Sequence, residues 1–236
     1  IKLIINCAAY TNVDRAEIDN ENCYNVNAFA VKNIISVCKQ NDIFLIHFST
    51  DYVFDGLKSK PYNEKNRVNP LNIYGKSKLL GEKFIMNSKI KAVVIRTSWL
   101  FSVFGNNFLN KIVDLSKTEK EIAVVDDQTG SPTSSIDLIK FCLKLIRELL
   151  DNKILLPAIF HYSNAGSTTW FNFAKKIKKY LKLNLKILPS KSDFSKAKAI
   201  RPKYSVLDSS LAENYLNDPI ISWDKALYRD LNEFFL

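Results

Sequence analysis

Residues 43–52 read Ile-Phe-Leu-Ile-His-Phe-Ser-Thr-Asp-Tyr, a mostly apolar run that ends on polar side chains. A short run that is apolar on both faces is typical of a parallel strand covered by helices on both sides. Open sheets of this kind bind their ligands at the carboxyl ends of the strands. We therefore predict an inner strand at residues 43–49 and a binding site at the residues that follow it.

Strand and helix patterns alternate on both sides of this run. Residues 3–6 are strand-like, and residues 23–40 carry apolar side chains at a helical period. Further elements are predicted at residues 72–86 (helix), 92–97 (strand), 107–116 (helix) and 122–125 (strand). Such alternation predicts an α/β fold with a doubly wound parallel sheet.

The second half of the chain follows a looser pattern. We predict elements at residues 135–150 (helix), 159–162 (strand), 170–181 (helix), 185–188 (strand) and 224–235 (helix). We assign residues 1–120 to a partial dinucleotide-binding Rossmann domain. We assign residues 121–236 to a smaller substrate-binding cap, with interleaving between the two.

Composition excludes several classes of function. The net charge of +10 would suit nucleic acid. However, the excess is mostly Lys and contains no long block of like charge, so no nucleic-acid partner is predicted. With 4 Cys without short paired spacing and 2 His, no metal site is predicted. No run is long enough to span a bilayer and no leader pattern is evident, so we expect no membrane partner. Isolated Cys at apolar positions usually act as small buried hydrophobes, which favours a reduced, cytoplasmic location.

Tyr74 and Lys78 stand four residues apart on a predicted helix, so their side chains share one face. A nearby ammonium can lower the pKa of a phenol, and such a Tyr can give a proton to a carbonyl oxygen. Thr50, at the end of the predicted strand, could donate a hydrogen bond to the same oxygen. A Tyr packed at a helix start with a solvated Lys beyond it would give the same spacing, so the pair alone does not decide the function.

Two longer segments carry a resemblance to a known family. They are Ser49-Thr50-Asp51-Tyr52-Val53-Phe54 and, beginning 24 residues after Thr50, Tyr74-Gly75-Lys76-Ser77-Lys78. These segments resemble those of extended short-chain dehydrogenases/reductases, and within that family the dTDP-4-dehydrorhamnose reductases. Further similar segments lie at residues 6–11, 25–28, 96–101, 125–133, 170–174 and 201–202.

The resemblance implies roles for individual residues. Tyr74 would be the proton donor to a C4 keto oxygen, Lys78 its partner and ribose anchor, and Thr50 a polarising donor. Asp51, Trp99 and Arg201 would contact a dTDP-sugar substrate, as would Thr50. Residues lining the cofactor, NADPH or NADH, would be Ala8, Ala9 and Tyr10, together with Tyr74 and Lys78. Trp99 could equally be a buried aromatic residue without contact to substrate. Arg201 could equally be a surface residue held in place by Pro202.

The glycines do not form a dinucleotide-binding turn. The chain has 6 Gly, and they are nowhere clustered, whereas this fold holds the pyrophosphate on a Gly-rich turn after the first strand. The resemblance places residues 6–9 after the fourth strand of the family. We therefore expect an N-terminally incomplete Rossmann-like fold, with about fifty to sixty residues ahead of Ile1 in a complete relative.

The function expected from the resemblance is reduction of dTDP-4-dehydro-6-deoxy-L-mannose to dTDP-L-rhamnose with NAD(P)H, by an enzyme that could be a homodimer. One alternative is a non-catalytic regulatory subunit of the same fold, like the beta subunit of methionine adenosyltransferase. Another is a sibling nucleotide-sugar epimerase or dehydratase. Dehydratases of the group carry a Glu after the Thr-Asp pair, and Tyr52 occupies that place here.

Overall fold

A parallel sheet of four strands forms the centre of the molecule in a computed structural model, which describes residues 1–150, 158–193 and 198–235. The strands are β1 (Leu3–Asn6), β2 (Phe44–Thr50), β3 (Ala92–Thr97) and β8 (Ala158–His161), in that spatial order. All three neighbouring pairs are parallel. The predicted α/β class with a parallel sheet is confirmed.

The remaining elements surround this sheet or build the cap. The helices are α1 (Val13–Ala16), α2 (Asn20–Tyr24), α3 (Ala30–Asn41), α4 (Ile73–Asn87), α5 (Phe108–Thr118), α6 (Ser135–Leu150), α7 (Trp170–Leu181), α8 (Ser210–Leu216) and α9 (Trp223–Phe235). The shorter strands are β4 (Leu100–Phe101), β5 (Glu121–Val125), β6 (Thr129–Gly130), β7 (Thr133–Ser134), β9 (Thr168–Thr169) and β10 (Lys186–Ser190).

Apolar side chains cover the sheet on both faces. One face packs against α3 and α4 through a cluster that includes Leu45 and Val94. The other face packs against α6 through a cluster that includes Ile46 and Val93. Successive residues of a strand point to opposite faces, so the continuous apolar run in β2 is what a doubly covered strand requires.

A separate apolar cluster forms the core of the cap. It joins α5, β5, α7 and α9, with Phe101, Ile112, Phe173 and Leu227 among its buried members. The strand β8 follows the cap strand β5 in sequence but lies in the central sheet. Residues 158–161 of the predicted cap therefore belong to the central sheet, which is the interleaving that we expected. The division into residues 1–120 and 121–236 stays a prediction. Within the described ranges, no helix is both long and apolar enough to cross a bilayer.

The helix predicted at residues 23–40 is interrupted by a π-helical turn at Asn25–Phe29, between α2 and α3. The extra residue of such a turn breaks the 3.6-residue period, which a pattern of apolar positions does not predict. The turn places Asn27 in the interior, where its side chain bonds both the backbone N–H and the carbonyl of Tyr10. The segment after β1 is anchored in this way.

Candidate active site

Three predicted catalytic residues lie around one cavity at the carboxyl edge of the sheet. Thr50 ends β2, whereas Tyr74 and Lys78 are one turn apart on α4. All three line a cavity of about 560 Å³. Thr50 lies close enough to Tyr74 to affect the pKa of its phenol. The predicted grouping is therefore present in the structure.

A close backbone approach brings α4 to this cavity. The helix begins after Asn72, whose side chain accepts a hydrogen bond from the Gly75 N–H at 2.8 Å, a standard N-cap. A Cβ on Gly75 would lie 2.2 Å from the carbonyl oxygen of Tyr52. Because only Gly leaves room for that carbonyl, residue 75 allows Tyr74 to reach the end of β2.

The surroundings of Tyr74 change the pKa of its side chain. Burial raises the pKa of its phenol to about 12, and the neighbouring Thr50 side chain lowers it only in part. Burial also lowers the pKa of the Lys78 ammonium to about 8. Burial is the larger effect on the phenol here, and the lowering of its pKa by Lys78 stays a prediction. A Tyr that keeps its proton at neutral pH is in the form that a proton donor needs.

Asp51 is a buried carboxyl beside the three predicted catalytic residues. It is 3% exposed, and its Oδ1 accepts a hydrogen bond from the Thr50 hydroxyl at 3.1 Å. Burial raises the pKa of Asp51 to about 7. Since Thr50 gives its hydrogen to Asp51, polarising a substrate carbonyl requires the Thr50 hydroxyl to turn away from this carboxyl.

Replacing Asp51 by Asn should stabilise the protein in a pH-dependent manner. The raised pKa means that the folded chain binds more protons than the unfolded chain between pH values of about 4 and about 7, so the wild type loses stability as the pH rises through that range. We expect Asp51→Asn to raise the free energy of unfolding at pH 8 by on the order of 1–4 kcal/mol, with no gain at pH 4.

Urea unfolding at both pH values measures this effect. The matched control is Asp114→Asn, at a surface position whose side chain is 72% exposed. An equal stabilisation at pH 4 and pH 8 would contradict the titration of Asp51 as its cause.

A second cavity, of about 460 Å³, lies between the sheet and the cap. Arg201 and Tyr52 line it, as do Gln128 and Trp170. Arg201 also binds Asp14 through two hydrogen bonds of 3.0 and 2.7 Å, which tie the end of the cap to α1. Tyr52 directly follows Asp51 in the chain, so the turn at Asp51–Val53 connects the two cavities.

The position of Trp99 agrees with either of the two roles that the sequence left open. Its ring stacks on Trp170 with centroids 3.6 Å apart, and it also lines the catalytic cavity. A Cβ on Gly130 would lie 2.4 Å from the Trp99 ring, so that glycine makes room for the indole. The backbone of Trp99 has a φ of 46°, which is strained for a bulky residue, and such strain clusters at functional sites.

The residues predicted to line the cofactor lie on the segment after β1. Ala9 lines the catalytic cavity together with Cys7 and Thr11. Ala8 is exposed, and its N–H donates to the side-chain oxygen of Asn6 at 3.2 Å. Tyr10 turns its hydroxyl to Asp19, at 3.1 Å. Of the three, Ala9 is the one whose position at the cavity agrees with the predicted role.

Two sets of buried polar contacts beneath the site were not predicted from the sequence. His47 lies between Asn6 and Lys78. Arg96 on β3 binds Glu82 on α4 through two hydrogen bonds of 2.9 and 2.7 Å. No pattern in the chain signals these contacts, because each joins residues of different elements. Among the described residues, no group of three or more His, Cys, Asp or Glu is placed to hold a metal ion.

A doubly covered parallel sheet with Thr, Tyr and Lys at its carboxyl edge defines a class, the Rossmann-type reductases of the short-chain dehydrogenase/reductase kind. Within that class the chain belongs to the family described as the RmlD substrate binding domain, which matches residues 1–235. The predicted family is thereby confirmed.

Individual relatives agree with this assignment. A dTDP-4-dehydrorhamnose reductase of Aggregatibacter actinomycetemcomitans is 37% identical over 73% of this chain and 58% of its own length. The Escherichia coli protein of that name is 34% identical over 99% of this chain and 80% of its own length. A crystal structure of the Bacillus anthracis enzyme in complex with NADP superposes with a TM-score of 0.89 and 38% identity, covering 98% of this chain and 80% of that one. The chain thus spans between about three fifths and four fifths of these relatives.

Proposed function

We propose that this protein reduces the 4-keto group of dTDP-4-dehydro-6-deoxy-L-mannose with NADPH or NADH, giving dTDP-L-rhamnose. The observation that carries the proposal is the placement of Thr50, Tyr74 and Lys78 around one cavity at the carboxyl edge of the sheet. The names of the relatives and the NADP in the Bacillus anthracis structure support it.

The cavity suits the nicotinamide end of the cofactor. Its lining is mostly apolar, and it includes the small side chain of Ala9 and the amino group of Lys78, a residue that is 3% exposed. Lys78 would hold the ribose hydroxyls, and Ala9 leaves room for the ring. When bound, the reduced cofactor supplies the hydride for the carbonyl carbon.

The protein's own residues supply the proton and the polarisation. Tyr74 keeps its phenolic proton because burial raises its pKa, and it gives this proton to the carbonyl oxygen as negative charge develops there. Thr50 donates a hydrogen bond to the same oxygen. Both groups act on charge that exists only in the transition state, which is where hydrogen-bond donors accelerate a reaction most.

The second cavity is our candidate site for the nucleotide part of the substrate. Arg201 would meet the diphosphate there, because a guanidinium matches phosphate oxygens in a planar, two-point contact. The turn at Asp51–Val53 would place the sugar between the two cavities, with Asp51 and Trp99 as contacts. A homodimer, a cytoplasmic location and the absence of a nucleic-acid or membrane partner stay predictions.

Replacing Arg201 by Lys should weaken substrate binding selectively. Lys keeps the charge but loses the two-point geometry, so KM for the dTDP-sugar should rise about tenfold or more, while KM for the cofactor stays unchanged. Steady-state kinetics with each substrate varied in turn measure both constants. Asp14→Asn is the control, because it breaks the ion pair between Arg201 and Asp14 and keeps the guanidinium. An equal rise in KM for the dTDP-sugar in that variant would show that Arg201 acts only by holding α1.

The whole proposal is tested by substrate-dependent oxidation of NADPH and NADH, with product identified by mass spectrometry. Formation of dTDP-L-rhamnose is the expected result. Lack of turnover with any keto sugar, together with co-purification with a partner enzyme, would favour the regulatory-subunit alternative. Interconversion of sugar epimers without net cofactor oxidation would favour an epimerase.

A further inference from the structure

His47 is a fully buried imidazole that the proposed reaction does not use. It lies on β2, directly opposite Asn6 on β1 in the register of the sheet. Its Nδ1 is 3.0 Å from Asn6 Nδ2, and its Nε2 is 3.4 Å from Lys78 Nζ. The ring thus stands between the end of β1 and the catalytic ammonium.

The backbone of Ala8 fixes the direction of these hydrogen bonds. An N–H can only donate, so the Asn6 atom that lies 3.2 Å from Ala8 N must be the side-chain oxygen. The Asn6 NH₂ group then faces His47 Nδ1, which must accept. Burial keeps the pKa of His47 well below its usual 6.5, so the ring is neutral and carries one hydrogen. That hydrogen is on Nε2, facing Lys78.

An Nε2–H that faces Lys78 discriminates between the two forms of that side chain. A neutral amine can accept this hydrogen, whereas an ammonium has only hydrogens to offer and meets it donor against donor. We propose that Asn6 and His47 are positioning residues that favour the uncharged form of Lys78 and couple it to the backbone of Ala8. The catalytic consequence rests on the proposed reductase function, but the hydrogen-bond chain itself does not.

The other groups around Lys78 act in different directions. Glu82, one turn further along α4, and Cys23 on α2 favour the ammonium, while burial disfavours it. Glu82 is itself held by Arg96. Tyr74, one turn earlier on α4, keeps its proton and adds no charge. Among these groups, His47 is the one that contacts Nζ with a directed hydrogen.

The test is the pKa of Lys78 itself, measured by NMR of lysine labelled at Cε and Nζ. The Lys78 signal is assigned by its loss in Lys78→Met. In His47→Gln, the amide can turn its oxygen toward Nζ, so the pKa of Lys78 should rise by about one unit, a tenfold change in proton affinity. Asn6→Ser removes the amide that holds Nδ1 as an acceptor, which frees the ring to present a lone pair to Lys78, and the same rise is expected.

An unchanged or lowered pKa of Lys78 in both variants would overturn the proposal. A role in folding alone would lower the unfolding temperature without moving this pKa. The alkaline limb of kcat/KM should move with the pKa of Lys78 in the same variants. Because the NMR titration needs no turnover, a shifted pKa in a protein without reductase activity would contradict the proposed function and leave this inference standing.

Discussion

Tyr74→Phe is expected to lower kcat for keto-sugar reduction by about 10²–10⁴-fold, the usual contribution of a positioned proton donor. The substitution removes one hydroxyl and keeps the ring, which packs edge-on against Tyr52 with centroids 5.9 Å apart. Binding should therefore change little. Single-turnover measurements of hydride transfer at saturating substrate separate this chemical step from binding and product release.

The matched control for this substitution is Tyr228→Phe. Tyr228 is half exposed on α9 and far in sequence from the site. Its loss of a hydroxyl should leave kcat unchanged. Retention of the full rate in Tyr74→Phe would remove Tyr74 from the mechanism, and the proposal would then depend on another proton donor.

Local patterns were sufficient to predict much of the fold. The helix α6 at Ser135–Leu150 and the helix α7 at Trp170–Leu181 begin and end where their apolar periods do. The strands β1 and β3 also match their predicted bounds. In each case the element follows a local apolar period or an unbroken apolar run, which the sequence shows directly.

Other features depend on contacts between distant residues. The helix α8 at Ser210–Leu216 was not predicted, because it is short and contributes only Ala212 to the buried core. The pairing of Arg201 with Asp14 joins residues 187 positions apart. The contact of His47 with Lys78 depends on how α4 packs against β2. Spacing was sufficient to predict that Thr50, Tyr74 and Lys78 lie together, but not which buried groups lie beneath them.

The ion pair between Glu82 and Arg96 should have the largest effect on stability. Both side chains are almost completely buried, at 2% and 4% exposed, and their closest atoms are 2.7 Å apart. The Arg96 guanidinium also lies 3.3 Å from His161 Nε2. Removal of one partner leaves the other charge buried, so Glu82→Gln should lower the free energy of unfolding by about 3–5 kcal/mol.

Urea unfolding measures this loss of stability. Two further variants test whether the unpaired buried charge causes it. Asp42→Asn breaks an exposed pair with Lys91, and should cost less than about 1 kcal/mol. The double variant Glu82→Leu with Arg96→Met removes both charges and should recover most of the stability. A double variant as unstable as Glu82→Gln would show that packing, not the unpaired charge, causes the loss. In Glu82→Gln, loss of the carboxylate should also lower the pKa of Lys78, since that carboxylate supports the ammonium from one turn away.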